Sequence, residues 1–144
     1  PDSVVSFLRN PTKIEGWTEW STKSYEYHGI PRQKLIQKGK DPRIVAGRMI
    51  QELAGKAVYS DEPRFDNMWK DRLLNDTGYD PELIRIRNLK YLLNKIIKLH
   101  CSYKRYDDFF QEFKTTKTIC HRAGADVRWL FEFMEFVQAR LSAM

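Results

Sequence analysis

The chain has 144 residues, 42% of them hydrophobic and 13% aromatic, and a formal net charge of +6. That is enough apolar material for one buried core, which excludes a permanently disordered polymer, and no run approaches the roughly 18 apolar residues of a membrane span. The first residues lack the apolar centre of a signal peptide, so the two cysteines are expected as reduced thiols inside a cell, and the start at Pro1-Asp2 fits a domain cut from a longer protein.

In chain order the pattern predicts helix after helix. Asp2 or Ser3 can cap a short first helix through Val4, Val5, Phe7 and Leu8, stopped by Asn10-Pro11. Trp17 and Trp20 lie three apart, as on one helical face, before His28-Gly29 breaks the run. A short element from Pro31 to Lys38 closes at Gly39. Asp41-Pro42 then supplies an N-cap followed by proline at the first helical position. Ala46, Met49, Ile50 and Leu53 follow at the spacing of a buried stripe, with Gly55 as the stop. Pro63 opens another helix carrying Phe65, Met68, Trp69 and Leu73.

Asp80-Pro81 repeats the capping chemistry and predicts the longest helix, reaching about His100, with Leu83, Ile86, Leu89, Leu93, Ile96 and Ile97 inward. A helix from Tyr106 to Cys120 carries Phe109, Phe110, Phe113 and Ile119. Asp126 caps a final helix on which Val127, Leu130, Met134, Val137 and Leu141 face one way, widened by Trp129, Phe133 and Phe136. Alternating patterns are weak apart from "KAVYS". The expected fold is therefore all-α or nearly so, a single domain over residues 1–144 with about six helices. One tiny β-ribbon between His28–Pro31 and Ala57–Ser60 is the only strand pairing expected.

Charge is sorted along the chain. Lys23 to Arg48 holds seven Lys and Arg against Glu26 and Asp41, and Arg85 to Arg105 holds seven more with no acid between. Sorted charge predicts a sided surface. On the predicted long helix Arg85, Arg87, Lys90, Lys95 and Lys98 fall between the apolar positions, and Arg87, Lys90, Asn94 and Lys98 make a polar ridge. Lys104 and Arg105 continue it. With Tyr91, Tyr103 and Tyr106 interleaved, that ridge has the make-up of a phosphate-reading surface.

Other chemistry finds less support. His100-Cys101 and Cys120-His121 offer the residue types of a zinc site, yet adjacent helical residues point about 100° apart and do not converge on one ion. Inward packing of both thiols is the simpler expectation. Asp107, Asp108, Glu112 and Lys114 imitate part of a nuclease motif, but they sit in a helical phenylalanine pattern, where Asp107-Asp108 suits a helix start. No Gly-rich phosphate loop and no nucleophile elbow is present, and His28 reads as a loop histidine. The chain is thus expected to be no enzyme, with no metal and no cofactor.

The stretch "GIPRQKLIQKGKDPRIVAGRMIQELAG" with the later "YDPELIRIRNLKYLLNKI" resembles the BEN domain, a small helical module of chromatin, transcription and some viral proteins. Ile30, Pro31, Arg32 and Leu35 match its opening element; Pro42, Val45, Met49, Ile50 and Leu53 match its Pro-led helix; Asp80-Pro81 with Ile84 or Ile86 stands at its later helix start. The likeness covers about residues 28 to 97, and Ala54 and Tyr79 depart from the family's phenylalanine and leucine. It implies duplex DNA binding in the nucleus, with Arg85, Arg87, Lys90, Asn94 and Lys98 on phosphates and base edges and Lys38, Lys40 and Arg43 on the backbone. The competing expectation is a protein-interaction module or homodimer that exposes an aromatic face of Phe110, Trp129, Phe131, Phe133 and Phe136.

Overall fold

The structure is a computed structural model that describes residues 6–117 and 123–144. It is mostly helical, with seven α-helices and two short strands among the described residues. Close contacts gather the chain into two compact units, one formed by Phe7–Leu89 and a helical one within Lys90–Met144.

The first unit starts without a helix at Phe7–Leu8, and residues 1–5 of the predicted first helix lie outside the described residues. Trp17 to Trp20 is irregular rather than helical; the helix there is α1 (Thr22–His28), capped by Ser21 Oγ accepting from Ser24 N and closed by Gly29 at a φ of 59°. Helix α2 (Arg32–Lys38) ends at Gly39, where a Cβ would stand 2.2 Å from the Leu35 carbonyl oxygen and 2.6 Å from Asn10 N. Only a residue without a side chain lets these backbones approach so closely. Buried Asn10 holds the junction, donating through Nδ2 to Ile36 O at 2.8 Å and accepting from Thr12 N at 3.0 Å.

Helix α3 (Pro42–Leu53) begins as the sequence predicts, with Asp41 Oδ1 accepting from Arg43 N at 2.8 Å. Its inward residues Val45 and Ala46 meet Leu73, Leu74 and Ile84 in a small aliphatic core. Helix α4 (Pro63–Asp76) opens at Pro63 as expected and turns Lys70, Leu73 and Leu74 inward, while Phe65, Met68 and Trp69 are about half exposed.

The long helix predicted from Asp80-Pro81 is not continuous. Pro81–Leu83 is a 3-10 turn capped by Asp80, and Ile86–Asn88 is a strand, β2, parallel to β1 (Val58–Ser60) with Tyr59 opposite Arg87. "KAVYS" does form a strand, but its partner is β2 and not His28–Pro31. The reason lies in α4. Lys70 Nζ, itself buried, donates to Pro81 O at 2.9 Å and Ile84 O at 2.6 Å, while its charge meets Asp71 at 2.5 Å. Asn67 donates through Nδ2 to Ile86 O at 2.9 Å and accepts from Ile86 N at 3.2 Å, imitating a neighbouring strand. These bonds use backbone groups that a helix would have paired internally.

In the helical unit, α5 (Leu89–His100), α6 (Tyr106–Lys114) and α7 (Ala123–Ser142) are the elements. Helix α6 stops at Lys114, short of the predicted Cys120, and residues 118–122 lie outside the described set. Helix α7, not the Asp80 segment, is the longest. Its buried residues are Trp129, Phe133, Val137 and Leu141, spaced by four; Val127, placed on the predicted stripe, is 51% exposed. Trp129 and Phe133 interlock with Tyr106, Phe110 and Phe113 of α6 at centroid separations of 5.0–5.8 Å. Five rings in such offset and edge contacts form a core rather than an open groove. Phe110, Phe131 and Phe136 are half-buried, so the predicted aromatic docking face is largely consumed by packing.

Candidate nucleic-acid interface

Helix α5 packs Leu93 and Ile97 inward, and Cys101 just beyond it is a buried free thiol. Opposite them the 3.6-residue period brings Tyr91, Asn94, Lys95 and Lys98 onto one solvent face at i, i+3, i+4 and i+7. Arg105, at the start of α6, joins that face. Together the five line a shallow open groove of about 560 Å³. Tyr91 is 73% exposed and Tyr103, in the connection before α6, 74%. The Tyr103 phenol is held above its ordinary pKa, first by a side-chain hydrogen bond with Cys101.

The cations of this face differ in what already holds them. Lys95, Lys98 and Arg105 are exposed and have no carboxylate within ion-pair distance among the described residues. Lys90 is engaged: its Nζ stands 2.8 Å from both oxygens of Asp107 and 5.6 Å over the Tyr106 ring. Asn94 Oδ1 accepts from Tyr106 N at 2.9 Å, so this residue fastens the first turn of α6 and keeps only its NH₂ group for a ligand. Lys104 Nζ lies 5.9 Å over the Phe109 ring. The acids of the phenylalanine helix are likewise spoken for, Asp108 by Arg105 N at 2.7 Å and Glu112 by Arg140, and they form no carboxylate cluster.

The remaining predicted contacts belong to the other unit. Arg85 and Arg87 are exposed and without ion pairs among the described residues, but they lie in the turn-and-strand segment, so the ridge predicted from Arg87 through Lys98 on one helix does not exist as such. Lys38 is exposed, Lys40 Nζ stands 5.0 Å over the Phe7 ring, and Arg43 pairs with Asp41 at 3.8 Å while donating to Lys13 O at 3.3 Å. The N-terminus of α3 is occupied by the chain's own carboxylate, Asp41, which removes it as an anion site.

His28, expected to lack a partner, has one: its Nδ1 accepts from Ile30 N at 3.0 Å, and its ring meets Trp20 edge-on. Among the described residues no three His, Cys, Asp or Glu side chains converge as metal ligands; Cys120 and His121 lie outside that set. No described helix is long and apolar enough to cross a membrane. A feature that composition alone did not single out is Trp17, flanked by the guanidinium groups of Arg9 at 5.5 Å and Arg72 at 5.9 Å, with its indole N–H donated to Asp76 at 2.5 Å. Burial lowers the pKa of Arg9. Neither a protein-family model nor a curated protein nor a solved structure matches the chain.

Proposed function

We propose that this chain is a non-catalytic nucleic-acid-binding module that meets duplex DNA through the solvent face of α5. The observation that carries the reading is the groove where Lys95, Lys98 and Arg105 stand beside exposed Tyr91 without carboxylate partners among the described residues. Unpaired surface cations have no internal bond to surrender when a phosphate arrives, and each one that neutralises a phosphate releases condensed counterions. A tyrosine beside them adds a hydroxyl donor for phosphate oxygen or a ring for a base. Lys104 plays a supporting part on this face, and Lys90 and Asn94 serve mainly to hold α6 against α5. On the other unit Arg85 and Arg87, without ion pairs among the described residues, with Lys38, Lys40 and Arg43, are separate candidate phosphate contacts. Duplex DNA, rather than RNA, is the choice that the BEN-domain resemblance favours, and a nuclear role in transcription or chromatin is the setting it implies.

The test is a mobility shift with a mixed-sequence duplex, the matching single strand and an RNA duplex at two salt concentrations. Lys95→Glu with Lys98→Glu is expected to weaken duplex binding at least tenfold and to flatten the log–log salt slope by about two, at roughly 0.9 per phosphate contact. A double variant that binds as tightly as the parent, with the same slope, removes α5 as the contact face.

A further inference from the structure

The first unit holds a cavity of its own, about 110 Å³, lined by Arg9, Trp17, Glu19, Trp69 and Arg72, all within Phe7–Leu89. Local structure fixes its walls. The backbone of Arg9 bridges Lys40, and Trp17 packs against the aliphatic core. Trp69 and Arg72 lie three apart on α4 and so share one of its sides.

The charges around the cavity are unequally engaged. Asp76 Oδ2 accepts the Trp17 indole N–H at 2.5 Å and stands 3.6 Å from Arg72 Nε, so the Arg72 charge is already offset. Arg9 has no ion pair and no side-chain hydrogen bond among the described residues, and the same holds for Glu19 at the exposed rim. The two line one space, yet no ion pair joins them. Burial already lowers the Arg9 pKa, so an acceptor brought in from outside stabilises its charge.

We infer that this cavity receives an unpaired guanine base, stacked on Trp69, with its O6/N7 edge toward Arg9 and its N1–H/N2–H₂ edge toward Glu19. Size, charge and shape select that ligand. Drug-sized molecules take pockets of about 300–1,000 Å³, so this cavity admits a single ring-bearing group. One unpaired cation and one unpaired anion cancel, which gives a phosphate or carboxylate little net attraction and suits a neutral ligand that has both donor and acceptor edges. Trp69 is 50% exposed and offers an indole face of the kind on which unpaired bases stack, whereas Trp17 is already faced by Arg9 at 5.5 Å and Arg72 at 5.9 Å. Guanine presents two acceptors that fit a guanidinium fork, beside two donor groups for a carboxylate. Adenine turns its N1 acceptor toward Glu19, and the pyrimidines offer a carboxylate one donor group rather than two. A free guanine nucleotide and an unpaired guanine in a strand share this chemistry. The site goes beyond the duplex contact on α5 and does not rest on it.

The full chain is titrated by calorimetry with GMP, AMP, CMP and ribose 5-phosphate, and with short thymine strands with and without one central guanine. GMP is expected to bind saturably and at least tenfold tighter than AMP or CMP. Glu19→Gln and Trp69→Ala, both at exposed positions, should each weaken GMP at least tenfold, and Glu19→Gln should also erase the preference over AMP. Circular dichroism and the melting temperature report that both variants keep the fold. Tighter binding of the guanine-bearing strand than of GMP identifies a strand as the source of the base; equal or weaker binding identifies the free nucleotide. Absence of saturable GMP binding, ribose 5-phosphate or AMP binding as tightly as GMP, or GMP affinity unchanged in both variants each overturns the inference. Loss of the duplex shift with GMP binding intact strikes the proposed function alone.

Discussion

The two units solve the same problem with different chemistry. Phe7–Leu89 has a small aliphatic core, Val45, Ala46, Leu73, Leu74 and Ile84, and relies on polar side chains to fix its backbone: Asn10 at the α2 junction, Asn67 and Lys70 against the turn and strand after Asp80. The helical unit relies on rings, with Tyr106, Phe109 and Phe113 buried on α6 and Trp129 and Phe133 on α7. The contrast teaches what fixes each backbone. In the first unit the buried lysine is itself a structural donor, while Arg43, Arg48 and Arg72 pair with nearby acids. In the helical unit rings fill the core, Lys90, Lys117 and Arg140 pair with acids at the surface, and Lys95, Lys98 and Arg105 line one groove without such partners among the described residues. Ring packing draws on apolar area and edge-to-face geometry, so it engages no charged group.

That difference can be broken from either side. The largest effect is expected from Phe133→Ala, which empties the centre of the aromatic cluster and should destabilise the chain by about 4 kcal/mol. Thermal unfolding followed by near-ultraviolet circular dichroism checks it, because the aromatic signal should fall with the melting temperature. Lys70→Met keeps the volume but leaves two backbone carbonyls without their donor, at a cost of about 3 kcal/mol for bonds from a charged group. Amide hydrogen exchange should then quicken across Val58–Ser60 and Ile86–Asn88; unchanged protection there would mean the strand pair holds without its pin. Asn94→Ala removes the acceptor for Tyr106 N and should cost about 1 kcal/mol, the usual worth of a lost helix cap, measured by urea denaturation. If Asn94 instead reads DNA, that variant weakens the duplex shift far more than it lowers stability, which would sharpen the assignment of α5.

Some of this was legible before any coordinates. Asp41-Pro42 opened α3 because a carboxylate acceptor followed by proline is a local device whose bond closes within two residues. The inward place of Cys101 followed from its spacing after Leu93 and Ile97. The strand at Ile86–Asn88 was also written in the chain, as Ile84-Arg85-Ile86-Arg87, an alternation of period two that the nearby proline cap and the helical stripe downstream obscured. What hid it is that Leu89, Leu93 and Ile97 keep a helical period, so the helix start merely moved from Pro81 to Leu89. On α4 the spacing alone did not say which side is inward: Phe65, Met68 and Trp69 share a helical side, but the core took Lys70, Leu73 and Leu74.

By itself, then, the sequence determined the helical character, the caps and the uneven spread of positive charge, because propensity, capping and composition act over a few residues. Tertiary structure decided which of those charges are left unpaired, which aromatic rings are buried and where a helix yields to a strand. Each of those outcomes turns on bonds between residues far apart in the chain, such as Lys70 with Ile84 or Asn94 with Tyr106, and neither partner's type or spacing announces the other.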